Sequence, residues 1–258
     1  FDWDRPVGVI THVHGDHIEH FETTLGFCEP ILVSSATKDL LVALKGDHLL
    51  IRRNLKSVSF GAQLSYSDEQ ITLHSTNHIL GASQVLVENA EDTRIVYTGD
   101  FNFPTNVIEA DVLVVDATYG DPINVRTYDK MIPITRLISL VKREIEKEKP
   151  SYIFSYHGKL QQLMNLLVEA EINVPFLAPS KDFKIAKVYE KYGFKIGDCI
   201  RVGDQQACEI IERCEPYVAF YTVGSKVPEA KKFLSIRVSA YEAIEPIFKI
   251  AKNRYVVA

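Results

Sequence analysis

The stretch Val7-Gly8-Val9-Ile10-Thr11-His12-Val13-His14-Gly15-Asp16-His17 constrains this chain more than any other. An apolar run of strand length ends at Thr11, and three histidines and an aspartate then fall within six positions. Alternate residues of an extended stretch face the same way, so His12 and His14 can reach one ion together. Gly15 lets the chain turn tightly, and Asp16 and His17 then face a neighbouring position. Imidazole and carboxylate at this density suit zinc or another first-row metal.

The 258 residues suit one large domain, or one domain carrying an inserted lobe. With 46% hydrophobic and 24% charged residues, the chain can bury a sizeable core. A net charge of −5 argues against a protein that grips nucleic acid over a whole face. Any such contact should be local, through a small phosphate pocket. Cys28, Cys199, Cys208 and Cys214 form no CxxC pair and read as small buried hydrophobes. The longest apolar runs are strand-length and no signal peptide is visible, so we expect a cytoplasmic protein with no membrane contact.

Strand-type runs fall at 7–11, 31–34, 71–74, 84–88, 95–97 and 112–116, with a helix at 36–45. Polar residues follow several of these strands: His12, Asp100 and Asp116. From about residue 129 the rhythm becomes alternating α/β with parallel-sheet character. Helices are expected at 130–149, 159–170 and 181–192, and strands at 152–156, 174–178 and 217–222. The close is a strand at 234–239, a helix at 241–252 and a strand at 255–257. Arg52 and Arg53, and the lysines 181, 184, 187, 191 and 195, read as solvated faces.

Two further segments fit the first site. "STNHILGAS" places His78 between a strand and Gly81, and "IVYTGDF" places Asp100 at a strand end. In this order "THVHGDH", "NHILGAS" and "YTGDF" resemble three metal-binding motifs of the metallo-β-lactamase superfamily. The resemblance implies an α/β fold, an αββα sandwich of two facing sheets with helices outside. It implies that His12, His14 and His78 hold one metal, that Asp16 and His17 hold a second, and that Asp100 bridges them. The chemistry it implies is metal-assisted hydrolysis, with Zn2+ as cofactor and Mn2+ or another divalent ion as the alternative. Asp16 would also orient the attacking hydroxide.

"DVLVVDATYGDP" and "FSYHGKLQQLMNLL" resemble the β-CASP branch of that superfamily. The branch includes DNA cross-link repair exonucleases, ligase-associated exonucleases and RNA 3′-end cleavage factors. It implies a core at 1–127, a reduced inserted α/β cap lobe at 128–233, and a closing core segment at 234–258. "HGK" also has a physical rationale. Helix-start N–H groups carry partial positive charge, Gly158 permits close approach and Lys159 adds a full charge. His157, Gly158 and Lys159 are therefore candidate phosphate contacts.

The branch pattern ends with histidines that this chain lacks. Tyr241 stands where one is expected, and the last strand carries none. Asp116 and Tyr241 are then the proton-handling candidates, although a phenol with a pKa near 10 shuttles protons less readily at neutral pH. One tight metal and a second that is weak or absent are expected, and the choice tilts towards DNA. Only residues 1–6 precede the first motif, so either the chain is clipped at its start or its first sheet is small. The leading expectation is a metal-dependent phosphodiesterase, an exonuclease acting on DNA or RNA. The competitors are a small-molecule metallohydrolase of thioesterase or lactonase type, and a nucleic-acid-binding protein with a vestigial site.

Overall fold

Leu32 and Val58 meet Ile71, Leu73 and Val85 in one buried cluster, which joins two sheets face to face. Each such side chain contributes about 1.5–3 kcal/mol on leaving water. The structure is a computed structural model that describes residues 6–122, 125, 127–239 and 246–257. The two sheets lie in the first of two units, Phe1–Thr118; the second is Tyr119–Ala258.

In the first unit, β1 (Gly8–Val9), β2 (Ile31–Ser34) and β3 (Leu55–Val58) form a parallel sheet. The facing sheet runs β4 (Gln63–Tyr66), β5 (Glu69–Ser75), β6 (Ser83–Glu88), β7 (Arg94–Tyr97) and β8 (Val112–Val114). Its pairs are antiparallel except β7 with β8. Helix α1 (Phe21–Phe27) precedes β2, and α2 (Ser35–Lys45) follows it. The α2 helix starts where β2 stops because Ser34 Oγ accepts the Thr37 N–H at 3.1 Å, a side-chain N-cap. It buries Ala36, Leu40 and Leu41 against β2 and β3.

In the second unit, the helices are α3 (Met131–Ile145), α4 (Lys159–Glu169), α5 (Ser180–Lys191) and α6 (Gln205–Glu212). The strands are β9 (Ser151–Ser155), β10 (Phe176–Ala178), β11 (Cys199–Arg201), β12 (Val218–Thr222), β13 (Leu234–Val238), β14 (Ile247–Ala251) and β15 (Arg254–Val257). They form one sheet in the order β11-β10-β12-β9-β13-β15-β14, parallel except for the final pair. Helix α4 buries Leu160, Leu163, Met164 and Leu167, the spacing of a single apolar stripe. The lysines of α5 are exposed, as are Arg52 and Arg53, as expected of solvated faces.

Four expectations are corrected. Residues 247–251 are strand, not helix: two short apolar runs are joined through Lys252 and Asn253 into an antiparallel hairpin. Residues 234–238 and 254–257 do not close the first unit. β13 lies between β9 and β15, which buries Leu234, Ile236 and Val238 in the second unit's sheet. The units part between Thr118 and Tyr119, ahead of the expected boundary at 127. Helix α3 stops a turn early: Glu148 takes a φ of +57°, and the Lys149 N–H returns to Glu144 O at 3.0 Å. Sequence reading also passed over α1, β3, β4, β11 and α6.

Gly81 occupies a φ of +80°, where an added Cβ would lie 2.6 Å from Thr37 N and 2.8 Å from Ser34 Oγ. Gly81→Ala should therefore lower stability by roughly 2–4 kcal/mol in denaturant unfolding. Gly26, exposed in α1 with open space at its Cβ, provides the opposite case. Gly26→Ala should stabilise by about 0.5–1 kcal/mol.

Cys28 and Cys199 are buried, but Cys208 and Cys214 are exposed, which corrects the reading of all four as buried. Desolvation pushes the Cys199 thiol up to about 12. A thiol reagent at pH 8 should label Cys208 and Cys214 in the native protein and reach Cys28 and Cys199 only on unfolding. Peptide mapping of the labelled sites checks this.

Candidate metal centre

Past β1 the chain stays extended through the first motif, and His14 has φ −67° and ψ 152°. Val13 is buried, and His12 and His14 come to an edge contact with ring centroids 4.7 Å apart. Gly15–His17 forms a single 3-10 turn, closed by the His17 N–H to His14 O at 3.1 Å, which re-aims Asp16 and His17.

His78 arrives from the other sheet, on the turn between β5 and β6. That turn is closed by Thr76 N–H to Ala82 O and Ala82 N–H to Ile79 O. It is pinned at Gly81 O, which accepts Ser34 Oγ–H at 2.7 Å and Thr37 Oγ1–H at 2.9 Å. Asp100 arrives from the end of β7. Gly99 before it has φ +54°, and its Cβ would lie 2.9 Å from Ser83 O.

The atoms then converge. His14 Nδ1 lies 3.1 Å from His12 Nε2 and 3.0 Å from His78 Nε2. Asp100 Oδ2 is 3.5 Å from His12 Nε2 and 3.4 Å from His78 Nε2. Donor atoms of His12, His14, His78 and Asp100 all fall within 4.8 Å of one another. One ring nitrogen carries either a proton or a lone pair, so His14 Nδ1 cannot satisfy both neighbours as ordinary hydrogen bonds. Ligands 2.0–2.1 Å from a tetrahedral ion sit about 3.4 Å apart. The close pairs match that edge, and three imidazoles with one carboxylate suit a divalent metal ion.

Electrostatics agree with the ligand form. Burial, with the neighbouring histidines, lowers His12 to about 2; burial, with His14, lowers His78 to about 4. Both are neutral at pH 7 with a nitrogen lone pair available. The hydrogen bond from His17 is the main cause holding Asp100 down at about 2, and it raises His17 in turn.

His17 Nε2 sits 3.2 Å from Asp100 Oδ1 and 3.6 Å from Asp16 Oδ2, while Asp16 is 79% exposed. Asp16 and His17, expected at a second position, lie beside Asp100 and outside the tight group of four. Asp116 Oδ1 accepts both Thr118 N–H at 2.9 Å and Thr118 Oγ1–H at 2.6 Å. Its own N–H donates to Thr98 Oγ1 at the end of β7. Tyr241 lies outside the described residues.

The phosphate candidates sit in the second unit. The Gly158 N–H donates to Gln161 Oε1 at 2.8 Å, so the helix closes on itself where a phosphate was expected. His157 Nδ1 is 3.2 Å from Asp182 Oδ1, which also accepts Thr222 Oγ1–H at 2.8 Å. Lys159 is exposed by surface area, yet desolvation lowers its ammonium pKa. It borders a cavity of about 480 Å³ with Tyr128, Lys130, Leu137 and Val238.

Sequence reasoning missed the residues that hold these ligands. Thr11 Oγ1 lies 3.2 Å from His12 Nδ1 and orients that ring. Thr11 O accepts both the Ser83 N–H at 3.0 Å and Ser83 Oγ–H at 3.3 Å. Tyr97 stands in the field of Asp100, Asp116 and Asp16, which add to the burial that raises its pKa. A threonine before the motif was a weak signal, and Ser83 carried none.

The chain is 33% identical over 139 residues to an uncharacterized protein in the lig 3′ region of Acidianus ambivalens, matching 53% of this chain and 98% of that one. It is 24% identical over 199 residues to a probable DNA ligase of Opitutus terrae, covering 71% of this chain but 18% of the ligase. It is 26% identical over 222 residues to the transcription termination factor FttA of Lokiarchaeum, covering 73% of this chain and 31% of the factor. No protein-family model matches the chain. A crystal structure of a protein of unknown function from Enterococcus faecalis V583 superposes with a TM-score of 0.57 at 14% identity, over 90% of this chain and 62% of that one. With the three motifs converging in space and these relatives around it, the chain belongs to the metallo-β-lactamase superfamily, in its β-CASP branch.

Proposed function

We propose that this protein is a metal-dependent phosphodiesterase, an exonuclease acting on DNA or RNA. The observation that carries the reading is the convergence of His12, His14, His78 and Asp100 from two sheets onto one point. Zn2+ is the ion best suited to this donor set, with Mn2+ as the alternative. When bound, a divalent ion there polarises a phosphoryl oxygen and makes a nucleophilic water available at neutral pH. The residues do the rest. His12, His14, His78 and Asp100 hold the ion, and Thr11 keeps His12 turned towards it. Asp16 and His17 orient the attacking water beside Asp100 and form the weaker second position. Asp116 handles a proton at the leaving oxygen, with Tyr241 as its candidate partner. Lys159 holds a substrate phosphate by charge. Its reduced pKa fits an ammonium that gains from an anionic partner.

The names of the relatives support nucleic acid as substrate. The ligase is named for DNA and the termination factor for transcription. The chain spans less than a third of each.

The purified protein should carry about one metal equivalent and release mononucleotides from end-labelled single-stranded DNA or RNA. Chelation should abolish this and Zn2+ or Mn2+ should restore it. Asp100→Ala should lose metal in elemental analysis and cut activity by about 100-fold or more. Metal-replete protein that cleaves neither polymer would sink the reading.

Lys159→Ala should raise KM for the oligonucleotide roughly tenfold with a smaller change in kcat, the pattern of a lost binding contact. Unchanged kinetics on a small thioester or lactone, with no nuclease activity to lose, would favour the small-molecule hydrolase instead.

A further inference from the structure

Strand β13 reads Leu-Ser-Ile-Arg-Val and alternates buried and half-buried along its length. Leu234, Ile236 and Val238 go to the core, so Ser235 and Arg237 face the other side of the sheet. Register places Arg237 beside Phe154 of β9, and Ser235 beside Arg254 of β15. The loop after β12 and the short 3-10 helix Pro228–Lys231 rise along one side and bring in Lys226 and Lys231. The β14–β15 hairpin borders the other side through Arg254, the register partner of Ser235. The result is a groove of about 470 Å³ lined by Lys226, Lys231, Arg237 and Arg254, with Phe154 among them and, among the described residues, no acidic side chain in its lining.

In a chain of net charge −5, four cations in one cavity are a concentrated feature. Lys226, Lys231 and Arg254 are exposed and Arg237 is half-buried. Burial raises the pKa values of Tyr152, Tyr217 and Tyr221, and Glu229 on the same short helix adds to it. The aromatic side is braced: Phe154 stacks on Tyr221 with centroids 5.9 Å apart, and Tyr221 on Tyr152 at 6.4 Å. All these residues belong to the second unit, whereas the metal ligands belong wholly to the first.

We propose that this groove is a second, non-catalytic binding site for single-stranded nucleic acid, with Lys226, Lys231, Arg237 and Arg254 on the phosphates beside the Phe154 ring. Cations that track a backbone, interleaved with aromatic rings, are what sequence-tolerant single-strand binding requires. A purely acidic peptide would use the cations but leave Phe154 without a role. The nucleic-acid identity of the occupant rests on the proposed nuclease function; the groove's charge and shape do not.

The test separates the two. Fluorescence anisotropy is measured with labelled dT12 and rU12 on the full chain in excess chelator, where no hydrolysis occurs. The double variant Lys226→Glu/Arg254→Glu, at exposed positions, should weaken binding at least tenfold and flatten the salt slope by about 0.7 per cation lost. Metal content and the thermal unfolding midpoint should stay at wild-type values in the double variant. Oligonucleotide affinity unchanged in the double variant would overturn the proposal, even if the protein cleaves DNA. So would equal competition by a hexaglutamate peptide, which would make the groove a general anion site. Binding lost in this variant while the metal-loaded enzyme proves inactive would uphold the groove and sink only the nuclease reading.

Discussion

The site depends on a seam between two sheets. Thr11 O, at the end of the first motif's strand, accepts two hydrogens from Ser83 at the start of β6. Beside it, Gly99 leaves room for Ser83 O that any Cβ would take. The seam brings the end of β1, the β5–β6 turn and the end of β7 into one corner. His12 and His14 come from the first of these, His78 from the second and Asp100 from the third. No short-range propensity could do this. Packing of the two apolar faces sets where the strands end, and their ends set where the ligands meet.

That corner would be an unfavourable place for four titratable groups without a cation. Like charges within a few ångströms cannot all form, and burial penalises each one. The structure answers by leaving His12 and His78 neutral and keeping Asp100 ionised against His17. The ligands are therefore held in their coordinating state by the fold itself. The supporting residues are the same ones that build local structure. Ser34 caps α2 and also holds the turn that carries His78, so helix start and ligand position share one contact.

Much of this was legible in the chain. The first motif needed only the two-residue period of an extended strand, and the amphipathic helices after residue 130 showed their stripes plainly. Elements were misread where two periods fit the same residues. Ile247, Phe248 and Ile250 suit a helix face as well as a short strand, and the hairpin pairing decided it. The β4–β5 hairpin was missed because its turn, through Ser67 with φ +52°, carries no glycine or Asn-Gly signal. Gly158 was read as a phosphate contact at a helix start, but its N–H goes to Gln161, a choice between two acceptors that spacing cannot reveal. The sheet partner of β13 was likewise a long-range outcome.

The distribution of charge bears on how an acidic protein would meet the acidic polymer proposed as its substrate. The lysines of α5 lie spaced along a solvated helix, where Lys187 is paired with Glu190 at 2.8 Å. Exposed pairs of this kind contribute little and are screened by salt. The cations of the β9–β13–β15 face are different, because strand register sets Arg237 beside Phe154 and Arg254 beside Ser235, and the groove they line shows no carboxylate among the described residues. Net charge governs long-range steering, whereas affinity at a groove follows the local count of cations that meet phosphates. A net charge of −5 is thus compatible with nucleic-acid contact where the fold concentrates its positive groups. It also opposes unspecific adhesion over the rest of the surface.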